Sequence, residues 1–107
     1  MRVWDIPVDK LCNKHLIAQH HEIHCVYNII TQNKKGFAHH PEVMRWRNHI
    51  TQLRSRHELT VSEMLRRGFK HNSPMGLGGV YDIVREPWQP IEQQIELLRA
   101  KGCDCKV

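Results

Sequence analysis

The sequence predicts an all-α fold, in which a single compact domain of three main helices follows an extended N-terminal arm. Apolar residues recur at helical spacing in three segments, and turn-forming residues separate these segments. No segment shows the strict alternation typical of a strand, and no internal repeat is present. A chain of 107 residues suffices for one modest core, so residues 1–107 are expected to form one domain.

The first helix is predicted over residues 7–34, after an arm formed by residues 1–6. A proline opens this helix, where its missing N–H costs no hydrogen bond, and Lys-Gly follows its end. At about 100° per residue, the side chains of His15, Gln19 and Glu22 fall within the apolar stripe. Three polar side chains are therefore expected on the buried face. The apolar positions of the stripe are Val8, Leu11, Cys12, Ile23, Val26 and Ile30.

Two further helices are predicted over residues 41–67 and 90–101. Proline begins the first of them and glycine follows it, which are ordinary start and stop signals. Arg45, Arg56 and Arg67 are spaced eleven residues apart, so a continuous helix would place them along one line, opposite the apolar stripe. This pattern predicts a basic ridge on the surface.

The charge balance favours a polyanionic partner. The net charge is +5 and the pI is about 9.3, which in a small domain is typical of nucleic-acid binding, although a merely solvated basic surface has the same composition. No apolar run is long enough to span a membrane, and the N-terminus lacks the apolar stretch of a signal peptide. The expected location is the cytoplasm.

The histidines and cysteines do not form a recognised metal motif. His21-Glu22 is followed by His24, which is one residue short of the zinc-protease spacing. The four cysteines are expected to be free thiols, although the C-x-C spacing of Cys103 and Cys105 also permits a metal site or a strained disulfide. A metal protein remains an alternative, and it predicts bound zinc.

Glu22 is the polar residue that most needs an explanation, because burying a carboxylate is costly unless it is paired or hydrogen-bonded. One interpretation is a structural ion pair with Arg54 or Arg2. The other is a catalytic acid whose pKa is set by partial burial and by a nearby cation.

Several motifs occur together with Glu22. They are the Met-Arg-Val arm at residues 1–3, His15-Leu16 with Glu22 seven residues after the histidine, Arg-His-Glu-Leu at 56–59, Glu-Met-Leu-Arg-Arg-Gly-Phe at 63–69, and the pattern from Leu65 to Pro74. With these motifs the chain resembles the pyrimidine-dimer DNA glycosylases of the phage endonuclease V type. The resemblance covers roughly residues 1–74 well and the last helix only loosely.

The resemblance implies a DNA glycosylase that is also an abasic-site lyase, with no metal and no cofactor. It implies that the α-amine of Met1 is the nucleophile, that Glu22 assists the sugar-opening and Schiff-base steps, and that Arg2 contacts DNA near the lesion. The reference pKa of an α-amine, about 7.7–8.0, leaves a useful neutral fraction at neutral pH. His15, Gln19 and Arg54 are expected to support this site.

The chain departs from the phage pattern beside the catalytic glutamate. His21 and Cys25 stand where arginines grip phosphates in the phage enzyme, and His21 binds a phosphate only when it is protonated. Phosphate contacts are therefore expected elsewhere, and Trp88 is a candidate for stacking on DNA. The candidate phosphate ligands are Lys10, Lys14, Arg45, Arg56, Arg67 and Lys70.

The expected partner is damaged double-stranded DNA, with cyclobutane pyrimidine dimers as the leading substrate and a monomer as the acting species. The reacting sugar carbon is buried in the base stack, so the duplex must be kinked or its nucleotide flipped. Two alternatives stay open: a glycosylase/lyase of the same fold with a different lesion specificity, and a non-enzymatic basic helical domain that binds DNA.

Overall fold

The structure is a computed structural model, and it describes residues 2–32, 35–36, 39–71, 89–103 and 105–106. These residues form a short 3-10 helix and four α-helices, with no strand among them, so the predicted all-α class with about three main helices is confirmed. The 3-10 helix is Val8–Lys10, and the α-helices are Asn13–Thr31 (α1), Pro41–Trp46 (α2), Ile50–Arg66 (α3) and Ile91–Ala100 (α4). Within the described part of the chain, no helix is long and apolar enough to cross a membrane.

The predicted helices are wrong in two places. The first helix begins at Asn13 rather than at the proline six residues earlier, because Leu11 and Cys12 have extended backbones (φ/ψ of −77°/139° and −70°/165°). The second predicted helix is two helices, since His49 leaves the helical region at φ/ψ of −137°/43°. The apolar stripe stays in phase across this break, and for that reason the periodicity did not reveal it.

The predicted stop at Gly68 is confirmed. This residue has φ of +88°, a left-handed conformation that glycine adopts without steric cost. Its N–H donates to the carbonyl of Leu65 (3.0 Å), and the N–H of Phe69 donates to the carbonyl of Met64 (2.9 Å). This is the Schellman arrangement, which satisfies the last carbonyls of α3.

The N-terminal arm is part of the core. Val3 is fully buried in one apolar cluster, while Trp4 and Ile6 are buried in a second. The other buried members of the first cluster come from α1, α2 and α3, and they are Ile23, Val26, Ile29, Val43, Trp46 and Leu53. The second is completed by Leu11, Leu16, Met64 and Leu98. The arm thus fills the space between the helices, and its position is fixed by packing.

Candidate active site

The backbone N–H groups of the buried arm are satisfied by side chains from three different helices. A buried extended segment has no partner strand here, so each of its polar groups needs another partner. The bonds run from the N–H of Val3 to Glu42 (2.8 Å), from that of Trp4 to Gln19 (2.8 Å) and from that of Asp5 to Gln94 (2.9 Å). The acceptors belong to α2, α1 and α4, so the arm is ordered only when these helices are in place.

The carbonyl groups of the arm and of the turn after it are satisfied by arginines. Arginine has five N–H donors in a fixed geometry, which suits it to bind two carbonyl oxygens at once. The bonds are from Arg45 to Val3, from Arg56 to Trp4 and Ile6 (2.7 Å each), and from Arg67 to Val8 (3.5 Å) and Asp9 (3.3 Å). Three arginines in chain order therefore hold successive parts of the arm.

The prediction of a basic surface ridge formed by Arg45, Arg56 and Arg67 is wrong. It assumed one continuous helix, and the break between α2 and α3 removes that premise. Only 4% of the Arg45 side chain is exposed, and Arg56 and Arg67 are half-buried. The guanidinium groups of Arg45 and Arg56 point at the arm because its buried carbonyls need donors that no neighbouring strand supplies, whereas Arg67 bonds to the 3-10 helix.

Arg45 lies at the centre of a buried charge network that sequence reasoning missed. Its Nε donates to Glu42 (2.9 Å), and a terminal nitrogen lies 3.1 Å from the carboxylate of Asp5. Glu42 also accepts hydrogen bonds from the N–H of Val3 (2.8 Å) and the indole of Trp46 (3.0 Å). Nothing in the sequence indicates that Glu42 is buried, because a carboxylate that follows a proline at the start of a helix is usually solvated.

Arg2 lies beside the arm in a partly buried position. Its guanidinium stacks over Trp4, 4.7 Å from the ring centroid, and donates a hydrogen bond to the side chain of Gln89. Burial lowers the pKa of Arg2, and the nearby Glu42 carboxylate opposes this shift. Its Nε is buried with no partner among the described residues.

Glu22 is half-buried on α1, one helical turn after Gln19. Gln19 itself is 1% exposed, bonds to the N–H of Trp4, and so supports the arm. Among the described residues, no hydrogen bond or ion pair of the Glu22 carboxylate is found, and Arg2 bonds to Gln89 instead. A half-buried carboxylate on the helix that packs against the arm is a candidate for acid–base chemistry.

The other predicted site residues are divided between several places. Met1 and Trp88 lie outside the described residues. His15 lies near Cys12 and Cys105, away from the network that holds the arm. The remaining basic candidates are exposed, namely Lys10, Lys14, His21 and Lys70.

Two surface grooves carry this exposed basic charge. One includes His21 and Lys70 in its wall, beside His20, His71 and Phe69. The other is lined by Leu11, Cys12, Asn13, Lys14, Arg66, Arg67 and Lys106. Four basic residues line the second groove, and two of them, Arg66 and Lys106, were not among the predicted phosphate ligands.

Two groups of described side chains could hold a metal ion, although neither has a sequence motif. His20, His24, His57 and His71 bring one ring nitrogen each within 4.8 Å of the others. His20 is buried, its Nε2 has no partner among the described residues, and burial with the neighbouring histidines lowers its pKa to about 4. The second group is Cys12, His15, Cys103 and Cys105, again within 4.8 Å.

Comparison with known proteins gives one match. The family model described as pyrimidine dimer DNA glycosylase matches residues 1–76. This range includes the arm, α1, α2, α3 and the glycine that ends α3. Neither the curated proteins nor the solved structures include a significant match to the chain.

Proposed function

Because the chain belongs to the pyrimidine dimer DNA glycosylase family, we propose that it acts on cyclobutane pyrimidine dimers in double-stranded DNA as a glycosylase and abasic-site lyase. In this proposal the α-amine of Met1 is the nucleophile, and Glu22 is the catalytic carboxylate. The observation that carries the proposal is the buried arm, whose backbone bonds fix the direction in which the N-terminus leaves the core.

The arm packs against the part of α1 that carries Glu22. Trp4 is held by Gln19, one turn before Glu22, and Val3 packs in the cluster that includes Ile23. Val3 is fully buried, and the α-amine belongs to the residue two positions before it in the sequence. Because consecutive Cα atoms are about 3.8 Å apart, this separation gives the amine only a short reach. This short tether favours a small set of amine positions over the freedom of an ordinary terminus.

The proposed reaction begins with attack of the neutral amine on the C1′ carbon of the damaged nucleotide. The bond from C1′ to the base breaks, the base leaves with the electron pair and takes a proton, and the sugar ring opens to a Schiff base. Loss of a C2′ proton then expels the 3′ phosphate by β-elimination. Glu22 stabilises the cationic sugar and moves protons.

DNA binding is assigned to the exposed basic groups around the arm. Lys14 and Arg67 line the more basic groove, and Lys10 lies nearby on the 3-10 helix. His21 and Lys70 share the other groove. Arg2 is assigned a contact with DNA near the lesion, and Trp88 remains a candidate for stacking on DNA. Arg45 is not included, because its guanidinium is buried against the arm, and Arg56 is assigned first to the arm's carbonyls.

Borohydride trapping tests the proposal. Untagged protein is mixed with duplexes that contain a pyrimidine dimer, an abasic site or no lesion, and reduction converts a Schiff base into a stable covalent adduct. We expect adducts with the first two duplexes and none with the third. One additional N-terminal residue should abolish the adduct while DNA binding persists. Binding without any adduct would instead support the non-enzymatic DNA-binding domain.

Glu22→Gln tests the carboxylate. We expect base release to fall by at least about 100-fold, which is typical when acid–base catalysis is removed, while binding to the dimer duplex changes little. Glu92→Gln is the matched control, because Glu92 is exposed in the first turn of α4. Equal turnover by the two variants would refute the role of Glu22.

A further inference from the structure

Three thiols and one imidazole meet where the end of the chain crosses the start of α1. The ligand atoms of Cys12, His15, Cys103 and Cys105 all lie within 4.8 Å of one another. The Nδ1 atom of His15 is 3.2 Å from the sulfur of Cys12 and 3.3 Å from that of Cys105. Cys12 and Cys105 are separated by 93 positions in the sequence, so local chain geometry does not explain their meeting.

The four ligand atoms are close enough together for small side-chain adjustments to place them around one zinc ion. A zinc–sulfur bond of about 2.3 Å places two tetrahedral sulfur ligands about 3.8 Å apart, and a sulfur and a nitrogen ligand slightly closer. Cys12 and His15 are three residues apart at the first turn of α1, so their side chains lie on one face. Three cysteines and one histidine are one of the common donor sets of structural zinc.

The surroundings also suit a bound zinc ion. The backbone N–H of Cys12 donates a hydrogen bond to the sulfur of Cys105 (3.0 Å), the kind of contact that orients a thiolate ligand. Lys14 and Lys101 lie close enough to act electrostatically on His15. Zinc with three thiolates and a neutral imidazole carries one net negative charge, which these two lysines offset.

We propose that Cys12, His15, Cys103 and Cys105 bind a structural zinc ion that fastens the C-terminal tail to the start of α1. A second contact already holds this tail, since the N–H of Lys106 donates to the carbonyl of Lys10 (2.7 Å). The tail follows α4 directly, so the zinc ion also anchors the helix whose Gln94 bonds to the arm.

Elemental analysis of untagged protein, purified without chelator, tests the proposal. Cys12→Ser and Cys103→Ser are each expected to lower the zinc content by about one equivalent per chain relative to Cys25→Ser. Cys25 is the matched control, because it is an exposed cysteine on α1 outside the group. Equal zinc contents in all three variants would overturn the proposal, because any bound zinc would then belong to another group, such as the four histidines.

Cobalt substitution of the unaltered chain avoids dependence on variants that fold poorly. Cobalt bound to thiolates has an intense charge-transfer absorption that imidazole ligands do not produce, and we expect this absorption together with the visible bands of tetrahedral coordination. His20→Gln alters only the group of four histidines, so it should leave the thiolate absorption unchanged. Absence of the thiolate absorption, or a disulfide between Cys12 and Cys105 in the protein as isolated, would refute the zinc site.

Discussion

Replacing Arg45 by methionine tests how the arm is held. The substitution keeps an apolar stem of similar length, but it removes the donors to Glu42, Asp5 and the carbonyl of Val3. The Glu42 carboxylate, 3% exposed, is then left without a cation at 2.9 Å. Removing one partner of a buried ion pair costs about 3–5 kcal/mol, which is a large part of the ~5–15 kcal/mol stability of an ordinary domain.

Urea unfolding, followed by circular dichroism and by tryptophan fluorescence, measures this loss. Arg99→Met is the control, because Arg99 and Glu96 form an ion pair at 3.1 Å whose side chains are 56% and 72% exposed. Exposed pairs contribute about 0–1 kcal/mol, so this variant should unfold close to the unaltered protein. The difference between the two variants isolates the effect of burial.

A double variant separates the unpaired charge from lost packing. Glu42→Gln combined with Arg45→Met removes both charges while the amide oxygen can still accept from Val3 and Trp46. We expect the double variant to be more stable than Arg45→Met alone, because the Glu42 carboxylate is no longer buried without a cation, while Asp5 has lost its arginine in both variants and keeps the hydrogen bond from Gln94. A cost for Arg45→Met within about 0.5 kcal/mol of that for Arg99→Met would refute the reasoning.

Three further predictions concern stability. Burial lowers the pKa of His20 to about 4 in the folded protein, so the unfolded chain takes up this proton at a higher pH. The contribution of His20 to the free energy of unfolding is complete above about pH 6.5 and falls by about 3 kcal/mol as the pH approaches 4. In His20→Gln, the urea midpoint should therefore depend less on pH over this range. The hydrogen bond from Arg66 lowers the pKa of Glu63 to about 2. Glu63 therefore stabilises the fold above about pH 4.5 and loses this contribution as the pH falls through 2. In Glu63→Gln, the urea midpoint should fall less steeply with pH in this acid range. Gly68→Ala, at φ of +88°, should lower stability by about 1 kcal/mol by the same assay, whereas Gly36→Ala in open space should not.

The helices were largely predictable because periodicity and end signals report local structure. Gly68 ends α3 as predicted, since a left-handed residue is a local requirement that glycine alone meets cheaply. The break at His49 was not predictable, because neither glycine nor proline marks it and the apolar stripe continues on the other side.

The candidate site was predictable only where one helix carries it. Gln19 and Glu22 were expected on the inner side of α1, and they are buried and half-buried respectively. The role of Arg45 was not predictable, because its partners apart from Glu42 are the carbonyl of Val3 and the carboxylate of Asp5, 40 positions away. His15 was expected to support the catalytic glutamate and instead meets cysteines from the far end of the chain, a contact that no local pattern encodes.

The bonds of the arm also set an order of assembly during synthesis. The arm is synthesised before the helices that bind it, and the N–H of Asp5 finds its partner on Gln94, 89 positions later. A nascent chain that ends before α4 can form α1 and α3, but it leaves a buried donor of the arm unsatisfied. The arm therefore precedes its partner helices in synthesis, but it gains its full set of bonds only when α4 has been made.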